Sequence, residues 1–249
     1  MPDGTPHRKD RTLRSAAALA EAGLIAPAAQ AGIEAIARRY AIAVTPAVRA
    51  LMDAADAGDP IARQYIPDAT ELTTAPWETE DPTADAPFTP VKGVVHRYPD
   101  RALLKPLLAC PVYCRFCFRR EVVGPDGGLL TEAELDTALD WFARTPMVRE
   151  AILTGGDPLM LSPRRLSHII ARLSAMPHID IIRLHSRVPV ADPGTSPPRC
   201  WTHLPPTRRF FCAFTATTRA NFLTRRARPS RASWRRGYPC SGNRCCCAA

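Results

Sequence analysis

The spacing of apolar residues divides the chain into regions of different character. Within residues 11–60, the alanine-rich stretches SAAALAEAGL and QAGIEAIARRYAI place apolar side chains at helical spacing and predict helices. Pro46 is predicted to open a third helix, because proline is tolerated in a first helical turn. Residues 59–100 are punctuated by Pro, Asp and Thr. We therefore expect a helical N-terminal region at 1–58 and an irregular connecting segment at 59–100.

Strands and helices are predicted to alternate from residue 101 onward. Short apolar runs predict strands at 102–108, 150–153 and 179–184, and helices are predicted to begin near residues 131 and 162. Alternation of this kind builds a parallel sheet, whose chemistry lies on the loops that follow the strands. The expected fold class is α/β, with a partial TIM-like (β/α) barrel of about three units over 101–193.

Residues 194–249 have a different composition. They hold 11 Arg, no Lys and no acidic residue, whereas residues 1–193 hold 22 Lys and Arg against 24 Asp and Glu. The net charge of +9 therefore comes entirely from this last part, since the two parts sum to −2 and +11. Six of the nine cysteines also lie there, three of them at 245–247. Without a sustained period, this part is predicted to be an irregular tail, either out of frame or disordered.

Three cysteines carry the clearest chemical signal. Cys110, Cys114 and Cys117 have the spacing C-x3-C-x2-C, directly after a predicted strand. Three thiolates on one short loop can ligate three irons of a [4Fe–4S] cluster and leave the fourth iron open for S-adenosylmethionine. A structural zinc site is one alternative, although it needs a fourth Cys or His, and residues 1–193 contain no second Cys pair. A chance clustering of cysteines is the other.

Strings around the cysteines narrow the interpretation. DPIARQYIP at 59–67, HRYPDR at 96–101, FRREVVG at 118–124, LTGGDPL at 153–159 and RLHSRVP at 183–189 occur in this order. Over about 55–193 the chain resembles the lysine 2,3-aminomutase family of the radical S-adenosylmethionine superfamily, including its relatives that act for elongation factor P. The resemblance implies a barrel of the radical S-adenosylmethionine type.

The resemblance also implies cofactor-binding roles. Phe116 is expected to place its ring beside the adenine, while Gly155, Gly156 and Asp157 are expected to meet the methionyl amino group of S-adenosylmethionine. Arg187 is expected to help hold the ribose or the carboxylate. The structural alternatives are a core aromatic for Phe116, a tight turn for the two glycines and a surface ion pair for Arg187.

The implied reaction interconverts L-lysine and L-β-lysine through a 5′-deoxyadenosyl radical and an aldimine of pyridoxal phosphate. Arg119 is expected to bind the carboxylate of the substrate, or alternatively to be a solvated charge. Pyridoxal phosphate requires a lysine, in a Gly-rich loop in this family. The chain has only Lys9, Lys92 and Lys105, none in such a loop. We therefore assign no catalytic residue and expect the chain as written to be inactive in the amino shift.

The tail has a second explanation in an alternate reading frame. Joining the third base of each codon with the first two of the next permits HCNHPREL across 214–222, a string of a form that the family has at about this position. The alternate frame also permits VTPALLDAL across 195–204 and PLLGQSVLLRG across 238–249. We therefore hypothesise a frameshift near residues 193–194. The alternative is a genuine disordered basic extension.

Partners and location follow from the same resemblance. The expected substrate is free lysine or a lysine acceptor of the elongation factor P pathway, the electron donor is flavodoxin or ferredoxin, and a homo-oligomer is expected. The N-terminus has no secretory signal and no apolar run long enough for a membrane span, so the expected location is the cytoplasm.

Two other functions stay open. One is a radical S-adenosylmethionine reaction without pyridoxal phosphate, which the absorbance of a bound aldimine would distinguish. The other is a zinc- or nucleic-acid-binding module that uses the basic tail, which metal analysis and salt-sensitive DNA binding would reveal. Because all of the excess charge lies in the tail, we expect no nucleic-acid partner.

Overall fold

A five-stranded sheet organises the molecule. The computed structural model describes residues 11–53, 55–56, 58–194 and the backbone of 209–214. Strand order follows chain order: β1 (Val94–Tyr98), β2 (Arg101–Leu107), β3 (Glu150–Gly155), β4 (Ile181–Ser186) and β5 (Arg209–Phe214). β1 pairs with β2 in the antiparallel sense, and the other neighbours are parallel. The sheet is an open, mixed α/β arrangement, consistent with a partial barrel that does not close.

Two long helices cover one face of the sheet. α5 (Glu132–Ala143) follows β2 and α6 (Pro163–Ser174) follows β3, so the parallel pairs β2–β3 and β3–β4 are each joined by a helical crossover. A capping box of Thr131 and Glu134 begins α5, and the Ser162 side chain caps the first turn of α6. These caps explain why both helices begin where the sequence predicts them.

The main core lies between this sheet face and the two helices. Two rows of small or branched side chains cross β2, β3 and β4 in register, and all six side chains are buried. The rows are Ala102–Ala151–Ile182 and Leu104–Leu153–Leu184. The apolar sides of α5 and α6 pack onto these rows in one cluster. Burying one such aliphatic side chain contributes roughly 1.5–3 kcal/mol. The opposite face carries Lys105, Ile152 and Arg183, and it faces the side on which a barrel would close.

Short helices and turns form the N-terminal part. They are α1 (Ala16–Glu21), α2 (Gln30–Ala37), α3 (Pro46–Arg49) and α4 (Ala62–Tyr65). Pro46 does open a helix, but that helix ends at Arg49 rather than running on through 50–55. A second apolar cluster joins these helices to Val112 of the cysteine loop and to Ala191. That residue ends α7 (Val188–Ala191), a single turn after β4.

Two strands lie outside the predicted pattern. β1 falls within the segment predicted to have little regular structure, and β5 falls within the predicted irregular tail. The prediction of an irregular tail is therefore wrong for Arg209–Phe214, because the apolar run RFFCAF pairs in parallel with β4 along its whole length. The rest of the tail, including the cysteines at 245–247, lies outside the described residues. No helix among the described residues is long and apolar enough to cross a membrane.

Candidate functional site

The three predicted cysteines lie together on the loop between β2 and α5. Cys110, Cys114 and Cys117 are free thiols, each partly buried. Burial raises the pKa of Cys110 far above its ordinary value, and the charges of Asp157 and of the other two cysteines raise it further. Burial likewise raises the pKa of Cys114 to about 11, against the opposing charge of Arg187. The thiols are thus close enough to repel one another as thiolates, and a metal centre would relieve that repulsion.

No group of three His, Cys, Asp or Glu side chains in the described part of the chain has the geometry of a site for a metal ion. That geometry brings all ligands around one atom, whereas thiolates of a cubane each ligate a different iron. The donor set, three free and partly buried thiols on one loop, fits an iron–sulfur cluster.

Two glycines hold the cysteine loop against the end of β3. Gly155 has φ +101°, a conformation that L side chains rarely adopt. The N–H of Gly156 donates to the carbonyl of Leu107 at 2.9 Å. A Cβ on Gly156 would lie 2.6 Å from the backbone N of Ala109 and still nearer to its carbonyl oxygen, so any larger residue would push the two segments apart. The glycines therefore set the start of the cysteine loop through close backbone contact, whatever ligand they meet.

Asp157 is buried, and its carboxylate is fully engaged. One oxygen accepts from the Ser186 hydroxyl at 2.8 Å and the Leu159 N–H at 3.0 Å. The other accepts from the Arg187 and Val188 N–H groups at 2.7 and 3.1 Å. Burial raises the pKa of Asp157 against these hydrogen bonds. The structure thus gives Asp157 the role of joining the ends of β3 and β4, and a contact of Asp157 with S-adenosylmethionine stays a prediction.

Phe116 and Arg187 lie next to each other, as a shared cofactor pocket requires. The Arg187 guanidinium carbon is 5.1 Å from the centre of the Phe116 ring, and its Nη1 donates to the Tyr65 hydroxyl at 3.2 Å. Phe116 is 52% exposed, so it is not a core aromatic. An exposed ring on the cysteine loop with a cation on one side offers a stacking surface to a flat heterocycle.

Arg119 is partly buried and paired. Its Nε and Nη2 donate to one oxygen of Asp85, at 3.1 and 3.0 Å, and Lys105 Nζ lies 3.3 Å from the same oxygen. Burial favours the neutral acid at Asp85, but the two cations outweigh it and hold the pKa of Asp85 below its usual value. Arg119 is therefore not the solvated charge of the alternative interpretation.

A buried ion pair that the sequence did not reveal fastens the cysteine loop to the N-terminal part. Arg115, between the second and third cysteines, donates from Nε to Glu71 at 3.0 Å and from Nη1 to the carbonyl of Ala41 at 3.0 Å. Its side chain and that of Glu71 are 9% and 10% exposed. Glu121 accepts from the Tyr40 hydroxyl at 2.7 Å on the same side. The N-terminal segments thus pack against the cysteine loop and are hydrogen-bonded to it.

Comparison with known proteins finds relatives that match the part of the chain with the cysteine loop. Residues 104–193 match the radical SAM superfamily. The chain is similar to several lysine 2,3-aminomutases. It is 40% identical over 162 residues to L-lysine 2,3-aminomutase of Clostridium subterminale and 37% identical over 169 residues to that of Acetoanaerobium sticklandii. The protein of that name from Escherichia coli K12 is 36% identical over 143 residues.

These alignments cover 65%, 68% and 57% of this chain but only 39%, 41% and 41% of the relatives. The chain thus spans about two fifths of the length of the curated relatives it matches. The resemblance inferred from the sequence is confirmed, and a match to the radical SAM superfamily implies a [4Fe–4S] cluster and S-adenosylmethionine.

Proposed function

We propose that this chain is the cluster- and S-adenosylmethionine-binding part of an isomerase that moves the amino group of lysine between carbons 2 and 3. The observation that carries the proposal is the set of three partly buried thiols at the end of β2, within a radical SAM domain. The amino shift and the choice of lysine are supported by the names of the relatives, L-lysine 2,3-aminomutase.

Cys110, Cys114 and Cys117 would ligate three irons of the cluster, since they are free, partly buried thiols on one loop. The chemistry supplied there, when cluster and S-adenosylmethionine are bound, is reductive cleavage of the sulfonium carbon–sulfur bond. The chain's own residues position the reactants. Gly155 and Gly156 keep the β3 loop within backbone contact of the cysteine loop, so the proposed methionyl contacts would lie on a segment that adjoins the cysteines that would hold the cluster.

Phe116 and Arg187 complete the proposed nucleotide pocket. The ring would stack against the adenine, and the guanidinium is tied to Tyr65 by a hydrogen bond, so it would approach the ligand in a fixed orientation. Arg119 would bind the carboxylate of the amino acid by a charge-assisted hydrogen bond. No residue of the described chain is assigned as a catalytic acid or base.

The described lysines do not fit pyridoxal phosphate, which the aminomutase name implies. A Schiff base needs an amine that is free to react, but Lys105 Nζ is held in an ion pair with Asp85 at 3.3 Å. Lys92 is 68% exposed and paired with Glu134 at the start of α5. Lys9 lies outside the described residues. We therefore derive no step through this cofactor. The misfit favours a second candidate function, a radical S-adenosylmethionine reaction without pyridoxal phosphate.

Anaerobic assays test the proposal. The full chain is reconstituted with iron and sulfide, reduced with dithionite and incubated with S-adenosylmethionine and L-lysine. We expect 5′-deoxyadenosine by mass spectrometry, and none from Cys114→Ala. Bound zinc without iron, with no 5′-deoxyadenosine, would refute the proposal. Absorbance of a bound aldimine after addition of pyridoxal phosphate, together with β-lysine, would show a lysine site that we have not assigned and would exclude the second candidate.

The cellular setting belongs to the same proposal. We propose a cytoplasmic enzyme that forms a homo-oligomer and takes electrons from flavodoxin or ferredoxin. The substrate is free lysine or a lysine acceptor of the elongation factor P pathway. Pull-down with purified flavodoxin, and assays with each lysine substrate, check these points one by one.

A further inference from the structure

Lys105 and Arg119 both pair with the same carboxylate oxygen of Asp85, on the sheet face opposite the helices. Asp85 Oδ2 lies 3.0 Å from Arg119 Nη2 and 3.3 Å from Lys105 Nζ. The three side chains are only 14%, 11% and 17% exposed, so solvent screens them weakly. Two cations and one carboxylate sum to +1. A partly buried positive charge without a counter-ion is costly, unless a ligand supplies the missing anion.

Among the residues that the structure describes, the neighbouring charged groups on the same face do not cancel this charge. Glu150 accepts from Arg183 Nε at 2.7 Å, so these two charges compensate each other. Burial lowers the pKa of His185, and Arg183 and Arg119 lower it further, which leaves this side chain neutral near pH 7. The residual positive charge therefore stays with Lys105 and Arg119.

Asp81 is the other carboxylate near Lys105, and it acts on the backbone. Its Oδ1 accepts from the N–H of Asp85 and its Oδ2 from the N–H of Ala86, each at 2.9 Å. These bonds fix the turn that presents Asp85 to the two cations. The same two hydrogen bonds are what lowers the pKa of Asp81 most, whereas the charge of Lys105 lowers it least among the causes, so Asp81 offsets little of the Lys105 charge.

The β3 loop fixes the course of the Lys105 side chain. A Cβ on Gly155 would lie 2.9 Å from Lys105 Cβ and 3.1 Å from Cγ, so the space left by the glycine is filled by the lysine stem. The ammonium group consequently comes to one position beside Asp85. Arg119 is fixed as well, because it donates twice to Asp85 and its guanidinium carbon lies 4.6 Å from the centre of the Phe118 ring. Both cations are therefore oriented before any ligand arrives.

We propose that Lys105 is the second cation of a carboxylate-binding site, in which Asp85 orients Lys105 and Arg119 and leaves one positive charge for a single further carboxylate. Without Lys105, the charge of Arg119 would be compensated by Asp85, and the site would be neutral. The ligand class is a small α-amino acid, an assignment that rests on the proposed function. The charge balance itself does not depend on which amino acid binds.

Calorimetric titration of the full chain, prepared anaerobically, tests this charge balance. The probes are L-lysine, L-alanine and L-alanine methyl ester, which lacks the carboxylate. Lys105→Met makes the site neutral, and we expect affinity for both amino acids to fall roughly tenfold to a hundredfold, the worth of one charge-assisted hydrogen bond. The double variant Asp85→Asn/Lys105→Met returns the site to +1 and is expected to restore most of the loss. Lys92→Met removes an exposed lysine elsewhere and is the matched control.

The outcomes separate the inference from the proposed function. The inference would be overturned if Lys105→Met bound the amino acids with wild-type affinity, or if the double variant bound them more weakly than the single one. Tight binding of the ester, or no binding of either amino acid, would overturn it as well. Equal binding of alanine and lysine with the expected response to both variants would support it, even if the assay with L-lysine fails. Thermal melting accompanies each titration, and Lys105→Gln replaces Lys105→Met if the latter melts early.

Discussion

Gly156→Ala probes the contact between the β3 loop and the cysteine loop. The new Cβ would lie 2.6 Å from the backbone N of Ala109 and 2.7 Å from the backbone carbonyl carbon of Leu108. Both are backbone atoms that cannot turn away, and the residue after Ala109 is the first cysteine. Relief therefore requires the loop to move by several tenths of an ångström. Overpacking of this kind costs about 1–3 kcal/mol, which corresponds to a fall in melting temperature of roughly 2–12 °C for a chain of this size.

Gly128→Ala is the matched control, because a Cβ at Gly128 would meet nothing within 4 Å. The assays are thermal melting and iron content after anaerobic reconstitution. We expect Gly156→Ala to melt earlier and to bind less iron, since displacement of Ala109 moves Cys110. If both variants melted and bound iron alike, the argument that the glycine loop positions the cysteines would be wrong.

The remaining predictions concern buried polar groups. Asp157→Ala leaves the Ser186 hydroxyl and the N–H groups of Leu159 and Arg187 without this acceptor, while the Val188 N–H keeps Ser186 Oγ at 3.1 Å. The free energy of unfolding should fall by roughly 3 kcal/mol, measured by urea denaturation, and a loss below about 0.5 kcal/mol would contradict the linking role of Asp157. Glu71→Ala leaves Arg115 buried without its partner and should cost about 3–5 kcal/mol, with lower iron binding; unchanged iron binding would show that the pair does not hold the cysteine loop. The pKa of Asp85 is lower in the folded chain than in the unfolded chain, where it is 3.8. The ionised Asp85 therefore contributes fully to stability above pH 3.8, and this contribution is lost as the pH falls through the pKa of the folded state. Melting temperature should therefore fall less steeply below pH 4 in Asp85→Asn than in the wild type, and parallel curves would refute this.

The alternation of β2, α5, β3, α6 and β4 could be predicted because each element carries a local signal. Thr131 and Ser162 are good helix caps, and the strands are short apolar runs. β1 was missed because Val94–Tyr98 is half exposed and follows a segment rich in proline. β5 was missed because its neighbours in the sequence show no pattern, and its pairing with β4 is a tertiary property.

For the candidate site, too, some features could be predicted from the sequence and others could be seen only in the fold. The cysteines were found from their spacing along the chain, and the glycines from the family resemblance. The pairs Arg115–Glu71 and Arg119–Asp85 join residues 44 and 34 positions apart, and no local pattern predicts which charges will meet. Asp157 was found, but three of its four partners lie 29 to 31 positions further on, so its role in joining two strand ends could be seen only in the folded chain.

The central claim is that three cysteines of this chain hold a [4Fe–4S] cluster with one open iron. The most direct measurement is iron and sulfide content, with the electron paramagnetic resonance spectrum of the reduced protein before and after S-adenosylmethionine is added. We predict about four irons and four sulfides per chain, a spectrum that changes on addition of S-adenosylmethionine, and loss of both in Cys114→Ser. Zinc in place of iron, or a spectrum unaffected by S-adenosylmethionine, would contradict the account.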